Sequence, residues 1–141
     1  MILHDLAATE TLAQHLARLA RPGDALLLSG PLGAGKSALA RAFLRALLGD
    51  PALEVPSPSY TLVQSYPVPG GGQAHHFDLY RLGGAEEVLE LGWDEALEGI
   101  MLVEWPERLG AMAPKGALCI TLTPLDEDRR VAQLTGWEGR L

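Results

Sequence analysis

The first third of the chain alternates between amphipathic stretches and a short apolar run. Residues 9–20 repeat leucine at every third or fourth position, which is the spacing of one helix face, and Thr9 is the predicted N-cap. The apolar run Ala25–Ser29 predicts a buried strand. Residues 37–48 predict a second helix, which the following Gly-Asp-Pro ends. The pattern therefore predicts helix, strand, glycine-rich loop and helix in that order.

The remainder of the chain is dominated by strand patterns. Residues 60–68 and 74–78 predict an antiparallel hairpin around a Pro-Gly-rich turn, and residues 117–123 and 129–135 predict a second hairpin. Residues 99–104 predict a further buried strand. Short helical segments are predicted at residues 85–91, 93–97 and 106–112. This order of elements predicts an α/β fold with three layers and a mixed central sheet that carries antiparallel hairpins.

Composition narrows the class of protein. A length of 141 residues predicts one domain, residues 1–141, and the net charge of −7 argues against strong autonomous binding to nucleic acid. Neither a signal peptide nor an apolar run of about 20 residues is recognisable, so a cytoplasmic protein without a membrane span is expected. The single cysteine, Cys119, lies in an apolar strand-like run and is predicted to be a small buried side chain.

The most specific motif is the glycine loop, residues 30–37, with the sequence GPLGAGKS. It fits the phosphate-binding pattern G-x-x-x-x-G-K-[ST] and lies between the predicted strand and helix that this pattern requires. Backbone amides and the helix N-terminus would bind a phosphate anion. Lys36 would reach the outer phosphates, and the Ser37 hydroxyl would bind Mg²⁺. The loop predicts a site for a nucleoside triphosphate.

Two carboxylates are candidates for the other side of this site. Glu104 follows four apolar residues at a predicted strand end, and a Mg²⁺ or catalytic role is favoured over a surface helix cap. Asp78 also lies near a strand end and either orients the attacking water, binds Mg²⁺ through water, or caps a turn. Ser59 and Thr61 are candidates to supply a hydroxyl to Mg²⁺ and to respond to the γ-phosphate. The alternative is that their segment is an ordinary rigid loop.

Three further side chains near these carboxylates are assigned less specific roles. His75 and His76 are adjacent, have no metal-ligand spacing around them and are predicted to be structural. Trp105 belongs either to the core or to a surface that faces a partner.

Four segments in the same order resemble one family. Residues 30–37 are similar to its GDLGAGKT loop, residues 57–63 to SPT[FY]TLV, residues 76–82 to HxDLYRL and residues 103–107 to VEWPE. The family is TsaE, also called YjeE, the small ATPase of bacterial threonylcarbamoyladenosine synthesis in tRNA. The resemblance implies binding of ATP and Mg²⁺, slow hydrolysis when alone, and action on the TsaD–TsaB complex, so that contact with tRNA is indirect.

The resemblance also implies roles for individual residues. It assigns Mg²⁺ to Ser37 and Glu104, and catalysis to Lys36, Asp78 and Glu104. It implies nucleotide contacts from Thr9, Thr11, Leu32, Gly33, Ala34, Gly35, Lys36, Ser37 and Ala38, of which the N-terminal pair is the weaker match. Pro31 departs from the family's Asp and removes one amide at the start of the loop, where little loss of phosphate binding is expected.

Two alternative functions remain at this point. A small P-loop kinase would need an acceptor pocket and an arginine-bearing lid, for which the chain leaves little sequence. A nucleotide-dependent binding switch would change shape and scarcely hydrolyse. No arginine stands at an obvious finger position, although Arg81 is a candidate.

Overall fold

A seven-stranded mixed sheet forms the centre of the computed structural model, which describes residues 1–141. The strand order is β1-β7-β6-β2-β5-β4-β3, in which β6, β2, β5 and β4 run parallel and the β3–β4, β6–β7 and β1–β7 pairs are antiparallel. The strands are β1 (Ile2–Leu3), β2 (Ala25–Ser29), β3 (Val63–Pro67), β4 (Gln73–Asp78), β5 (Ile100–Glu104), β6 (Leu118–Pro124) and β7 (Arg130–Thr135). The predicted mixed sheet and both hairpins are confirmed.

Helices cover both faces of this sheet. The helices are α1 (Leu6–Leu19), α2 (Lys36–Leu48) and α3 (Trp93–Ala96), with 3₁₀ helices at Ala85–Leu91 and Pro106–Met112. The face under α1 and α2 holds a core of 19 buried residues and the other face one of 11, so the fold has three layers, as predicted. None of the helices combines the length and apolar character needed to cross a membrane.

The start of α1 differs from the prediction. The helix begins at Leu6, and its N-cap is Asp5, whose carboxylate accepts a 2.9 Å hydrogen bond from the amide of Ala8. Thr9 is therefore not the N-cap; it lies inside the helix and is buried. The leucine spacing identified the helix but not its first turn, because that turn has few core contacts to mark it.

Cys119 is exposed, so its predicted burial is wrong. Its strand, β6, buries Leu118, Ile120 and Leu122 on the face that α1 and α2 cover. Successive side chains of a strand point to opposite faces, which puts Cys119 on the other face. In β6 buried apolar side chains alternate with exposed ones, so the side chain of Cys119 lies on the exposed face of the strand.

The predicted strand 60–68 begins later, at Val63. Residues before it form a turn in which the Leu62 amide bonds to the carbonyl of Pro58 at 2.7 Å, and Leu62 itself has a positive φ of 69°. The two-residue strand β1 was not predicted, because it is too short to show a periodic pattern.

Parallel pairing brings three strand ends to one edge of the sheet. Glu104 at the end of β5 pairs in register with Leu28 of β2 on one side and with Asp78 of β4 on the other. The glycine loop leaves β2 at this same edge. Ligands of parallel α/β sheets bind at the carboxyl ends of the strands, so this edge holds the candidate site.

Candidate functional site

The backbone of the glycine loop depends on glycine at two positions. Gly30 has a φ of 146° and Gly35 a φ of 102°, a region that other residues rarely adopt. A side chain at Gly30 would collide with the carbonyl oxygen of Leu122, and one at Gly35 would collide with the guanidinium of Arg130. The loop is thus held between the first turn of α2 and the β6–β7 hairpin.

The N-terminus of α2 opens into the site without a side-chain cap. Gly35 is the N-cap residue, no side chain bonds to the first-turn amides, and the first turn carries no acidic residue. The first amides of an α-helix have no partner within the helix and carry partial positive charge. This helix end is therefore suited to binding an anion.

Lys36 is folded back onto the loop. Only 5% of the residue is exposed, and its Nζ donates to the carbonyl oxygens of Gly30 and Pro31, the latter at 3.0 Å. The same Nζ lies 4.0 Å from the centroid of the Trp105 ring. The ammonium group is therefore held by two carbonyl dipoles and an aromatic face rather than by a counter-charge.

Burial acts on the charge of this lysine. It lowers the pKa of Lys36, while the negative charges of Glu104, Glu107 and Asp78 act in the opposite direction without reversing the shift. None of these carboxylates lies within ion-pair distance of the ammonium group. The lysine is thus a desolvated cation whose counter-charge lies farther away.

Trp105 follows Glu104 in a strained backbone conformation. Its φ of 61° and ψ of 51° are left-handed, which for a bulky residue costs about 1–3 kcal/mol. The indole packs against the ring of Tyr80, with centroids 4.9 Å apart, and is half-buried above Lys36. The strain places an aromatic wall beside the lysine, so Trp105 lines the site rather than only the core.

Glu104 is the centre of a short chain of hydrogen bonds. The hydroxyl of Ser37 donates to its Oε1 at 3.2 Å, and Nε2 of His76 lies 2.7 Å from its Oε2. Glu104 and His76 are each only 2% exposed. The predicted association of Ser37 with Glu104 is therefore present as a direct contact.

Asp78 forms a second group with the serines of the preceding loop. Its Oδ2 accepts a hydrogen bond from Ser59 Oγ at 3.3 Å, and Ser59 Oγ lies 2.7 Å from Ser57 Oγ. Its Oδ1 accepts from the amide of Tyr80 at 3.1 Å. Asp78 therefore has both a turn-forming contact and a contact toward the site.

These groups line one cleft of about 310 Å³. Its walls come from the glycine loop, the serine loop and the ends of β4 and β5, namely Leu32, Gly33, Gly35, Lys36, Ser37, Ala38, Ser57, Ser59, Asp78, Tyr80, Glu104 and Trp105. The residues assigned to catalysis and to Mg²⁺, namely Lys36, Ser37, Asp78 and Glu104, all lie in this set. Ala34, which also belongs to the glycine loop, is buried and does not line the cleft.

Other candidate residues lie outside the cleft walls. Thr9 is buried within α1, and Thr11 on the same helix donates to the carbonyl of Ala7 at 3.0 Å. Arg81 stacks on the exposed ring of Tyr60, 4.5 Å from its centroid. Thr61, the other candidate hydroxyl, accepts a hydrogen bond from Gln64 at 3.4 Å, and the structure brings none of these side chains to Lys36.

Sequence reasoning missed two side chains of this region. His76 bonds to Glu104, whereas its neighbour His75 lies on the opposite face of β4 and contacts Ser65 at 2.8 Å. The signal for His76 was its position two residues before Asp78 in a strand, which puts both on one face. Arg130 donates to the carbonyl of Ala34 at 3.3 Å, and only the docking of the β6–β7 hairpin brings it there.

The donor set of the cleft suits a hard divalent cation. Ser37 and Glu104 present adjacent oxygens, and Asp78 adds a carboxylate on the neighbouring strand. No group of three or more His, Cys, Asp or Glu side chains forms a cage. Mg²⁺ is usually bound by one or two protein oxygens with water and phosphate completing its shell, so these residues fit Mg²⁺.

The comparisons with known proteins agree in one family. The family model described as "Threonylcarbamoyl adenosine biosynthesis protein TsaE" matches residues 3–132. A Rickettsia felis protein named tRNA threonylcarbamoyladenosine biosynthesis protein TsaE is 36% identical over 95% of this chain and 78% of its own. The Bacillus subtilis protein of the same name is 34% identical over 90% of this chain and 78% of its own. The crystal structure of Bacillus subtilis YdiB is similar with a TM-score of 0.76 and 27% identity, covering 99% of this chain and 86% of that one.

Proposed function

The chain belongs to the TsaE family of tRNA threonylcarbamoyladenosine biosynthesis, and from that premise we propose that it is the ATPase subunit of this pathway. In this proposal it binds ATP with Mg²⁺, hydrolyses ATP slowly when alone, and uses the nucleotide to drive turnover of the TsaD–TsaB complex. TsaD–TsaB makes the transfer to tRNA, so this chain contacts tRNA indirectly.

The observation that carries the proposal is the meeting of a desolvated lysine, an uncapped helix N-terminus and a Ser37–Glu104 pair in one cleft. The lysine and the helix end both attract anions, whereas the serine and glutamate oxygens attract a cation. A triphosphate with its Mg²⁺ satisfies both requirements at once. Neither an isolated anion nor an isolated metal would do so.

The phosphates would be bound by the amides of residues 32–38 and by Lys36. On binding, the Lys36 ammonium would exchange the carbonyl oxygens of Gly30 and Pro31 for phosphate oxygens. Ser37 and Glu104 would hold Mg²⁺, which when bound supplies positive charge at the phosphates. The nucleotide contacts that the resemblance implies for Thr9 and Thr11 remain a prediction.

Asp78 is the side chain that we assign to the attacking water. One oxygen of Glu104 contacts Ser37 and the other contacts His76, so we assign Glu104 to Mg²⁺ together with Ser37 rather than to the water. Asp78 has a longer contact, 3.3 Å, from the rotatable hydroxyl of Ser59. A water can replace that hydroxyl without breaking a buried pair.

The lack of an arginine in the cleft walls explains why turnover in isolation is proposed to be slow. No arginine is among the residues that line the cleft: Arg81 stacks on Tyr60, and Arg130 donates to the carbonyl of Ala34. An arginine finger contributes about 10³–10⁵ in rate in other phosphate-transfer proteins. We therefore expect the missing positive charge, or a surface that orders the loops, to come from TsaD.

The decisive experiment depletes the protein in its host and measures threonylcarbamoyladenosine in bulk tRNA by mass spectrometry. Loss of the modified nucleoside, restored by the wild-type gene but not by Lys36→Met, supports the proposal. Restoration by Lys36→Met contradicts it. ATP hydrolysis with and without TsaD–TsaB then separates the two alternatives: no stimulation indicates a binding switch, and phosphate transfer to a small molecule indicates a kinase.

A further inference from the structure

We propose that His76 is a positioning residue that fixes the orientation of the Glu104 carboxylate. By holding Oε2 on the core side, His76 leaves Oε1 facing the cleft beside Ser37. This inference rests on the proposed role of Glu104 as a Mg²⁺ ligand. It assigns a function to a side chain that, like its neighbour His75, was predicted to be structural.

The sheet register brings the two residues together. On β4 and β5, Asp78 pairs with Glu104 and His76 pairs with Leu102, so His76 and Glu104 are diagonal neighbours on one face. That face carries α2, whose first turn contributes Ser37. The 2.7 Å contact joins His76 Nε2 to Glu104 Oε2. Since a carboxylate oxygen accepts, the Nε2–H donates.

The imidazole has no other polar contact. Its Nδ1 is buried without a hydrogen-bond partner, and the residue is 2% exposed. Burying an unpaired polar atom costs free energy, and an apolar side chain of similar size would avoid that cost. Packing therefore does not explain a histidine here, whereas its single hydrogen bond to Glu104 does. His75 offers the contrast, since it is partly exposed and bonds to a serine.

Without this donor the carboxylate would lose its orientation. Oε2 would be left buried and unpaired, and rotation of the carboxylate would let both oxygens compete for Ser37 and for a metal ion. In metal sites, removing such an outer partner typically lowers metal affinity about 10–100-fold. The effect should reach the metal through Glu104 alone, because His76 is absent from the cleft walls.

The test measures Mn²⁺ affinity by electron paramagnetic resonance in the presence of a non-hydrolysable ATP analogue. We expect His76→Leu to weaken Mn²⁺ binding about 10–100-fold. His76→Gln, whose amide can donate from nearly the same place, should restore most of that loss. His75→Leu is the matched control and should bind Mn²⁺ like the wild type. Affinity for the analogue in EDTA should be the same in all variants.

A double-mutant cycle with Glu104→Gln makes the test specific. Because His76 acts through Glu104, His76→Leu should weaken Mn²⁺ binding in the wild-type background and have no further effect in Glu104→Gln. Additive losses would overturn the proposal, as would wild-type affinity in His76→Leu or equal losses in the Leu and Gln variants. Thermal unfolding checks the fold of each variant, and His76→Met replaces His76→Leu if the latter does not fold. Failure of the wild type itself to bind Mn²⁺ with the analogue would instead contradict the proposed function.

Discussion

The charged groups at the two ends of strand β2 are matched in opposite ways. Just before the strand, the Asp24 carboxylate accepts hydrogen bonds from Arg140 at 2.8 and 3.1 Å and from the Arg21 amide at 2.6 Å. Beyond its other end, across the glycine loop, Lys36 has two carbonyls and an indole ring but no carboxylate partner. The first charge is matched within the chain, whereas the second is left for a ligand to match.

This difference separates stability from function along one short strand. Arg140 also bonds to the carbonyl of Leu19 and stacks on Trp137, 4.1 Å from the ring centroid, so it ties the C-terminus to the end of α1. Such a paired group lowers the free energy of the folded state. A desolvated and unmatched group raises it, and that free energy is recovered when an anion binds.

The largest effect is expected at the unmatched end. Lys36→Met keeps the apolar stem but removes the charge, and should lower ATPase activity about 10²–10³-fold because a donor to the phosphates is lost. The free energy of unfolding should stay the same or increase, since an unmatched buried charge is removed. Steady-state kinetics and urea denaturation measure the two quantities.

The chain offers one matched control for that change. Its only other lysine, Lys115, is exposed, and Lys115→Met should alter neither quantity. If Lys36→Met were destabilised by more than about 1 kcal/mol, beyond the usual scatter of neutral changes, the contrast between the two ends of β2 would not hold.

Glu104→Gln should have the next largest effect. It keeps the shape of the side chain but removes the negative charge that we assign to Mg²⁺, and should lower metal-dependent hydrolysis about a hundredfold. Nucleotide binding in EDTA should persist, as measured by calorimetry. Glu98→Gln, at an exposed position, is the control. Unchanged hydrolysis in Glu104→Gln would move the metal role to Asp78.

At the matched end, Asp24→Asn should lower stability but not activity. Loss of the charge-assisted bonds should reduce the free energy of unfolding by about 1–3 kcal/mol, with about 2–4 °C of Tm for each kcal/mol. The exposed pair of Asp126 and Arg129, 2.7 Å apart, supplies the control, because Asp126→Asn should have no measurable effect. A large loss of ATPase activity per folded molecule in Asp24→Asn would show that the two ends are coupled.

The smallest expected effect is the pH dependence of the difference in unfolding free energy between the wild type and Asp24→Asn. Burial alone would raise the pKa of Asp24, but hydrogen bonds from Arg140 and the Arg21 amide, with the charge of Arg140, lower it overall. A depressed folded-state pKa gives stability that is present above the unfolded value, about 3.9, and lost as pH falls through the folded value. Denaturation from pH 7 downward should therefore show the gap between wild type and Asp24→Asn closing below about pH 4. If the difference in unfolding free energy grew larger in acid, the pKa of Asp24 would not be lowered in the folded state, and the prediction would be wrong.

Most of the fold could be predicted from the sequence because its elements, apart from the two-residue strand β1, each carry a local signal. The apolar run before the glycine loop, the leucine spacing of α1 and the two hairpins all follow from period and turn residues. Where the signal is shared between faces, as at Cys119, or lies in a short turn, as at Asp5, prediction failed. Strand order is a property of the whole sheet, and the chain shows it only once folded.

The site was predictable to the extent that it is contiguous. The glycine loop is one segment, and Glu104 and Asp78 are strand ends, so general rules for parallel sheets bring them together. His76 and Arg130 required the register of β4 against β5 and the position of a distant hairpin. The strained backbone at Trp105, which directs the indole over Lys36, has no sequence signal beyond its position after Glu104.

The exposure of Cys119 has a practical consequence. It is the only cysteine of the chain, it lies on β6 beside the strand that feeds the glycine loop, and it is not among the residues that line the cleft. A maleimide dye or a photocrosslinker can therefore be attached at a single place without mutating the protein. Such a label would let the docking of a partner be followed by fluorescence on the native sequence.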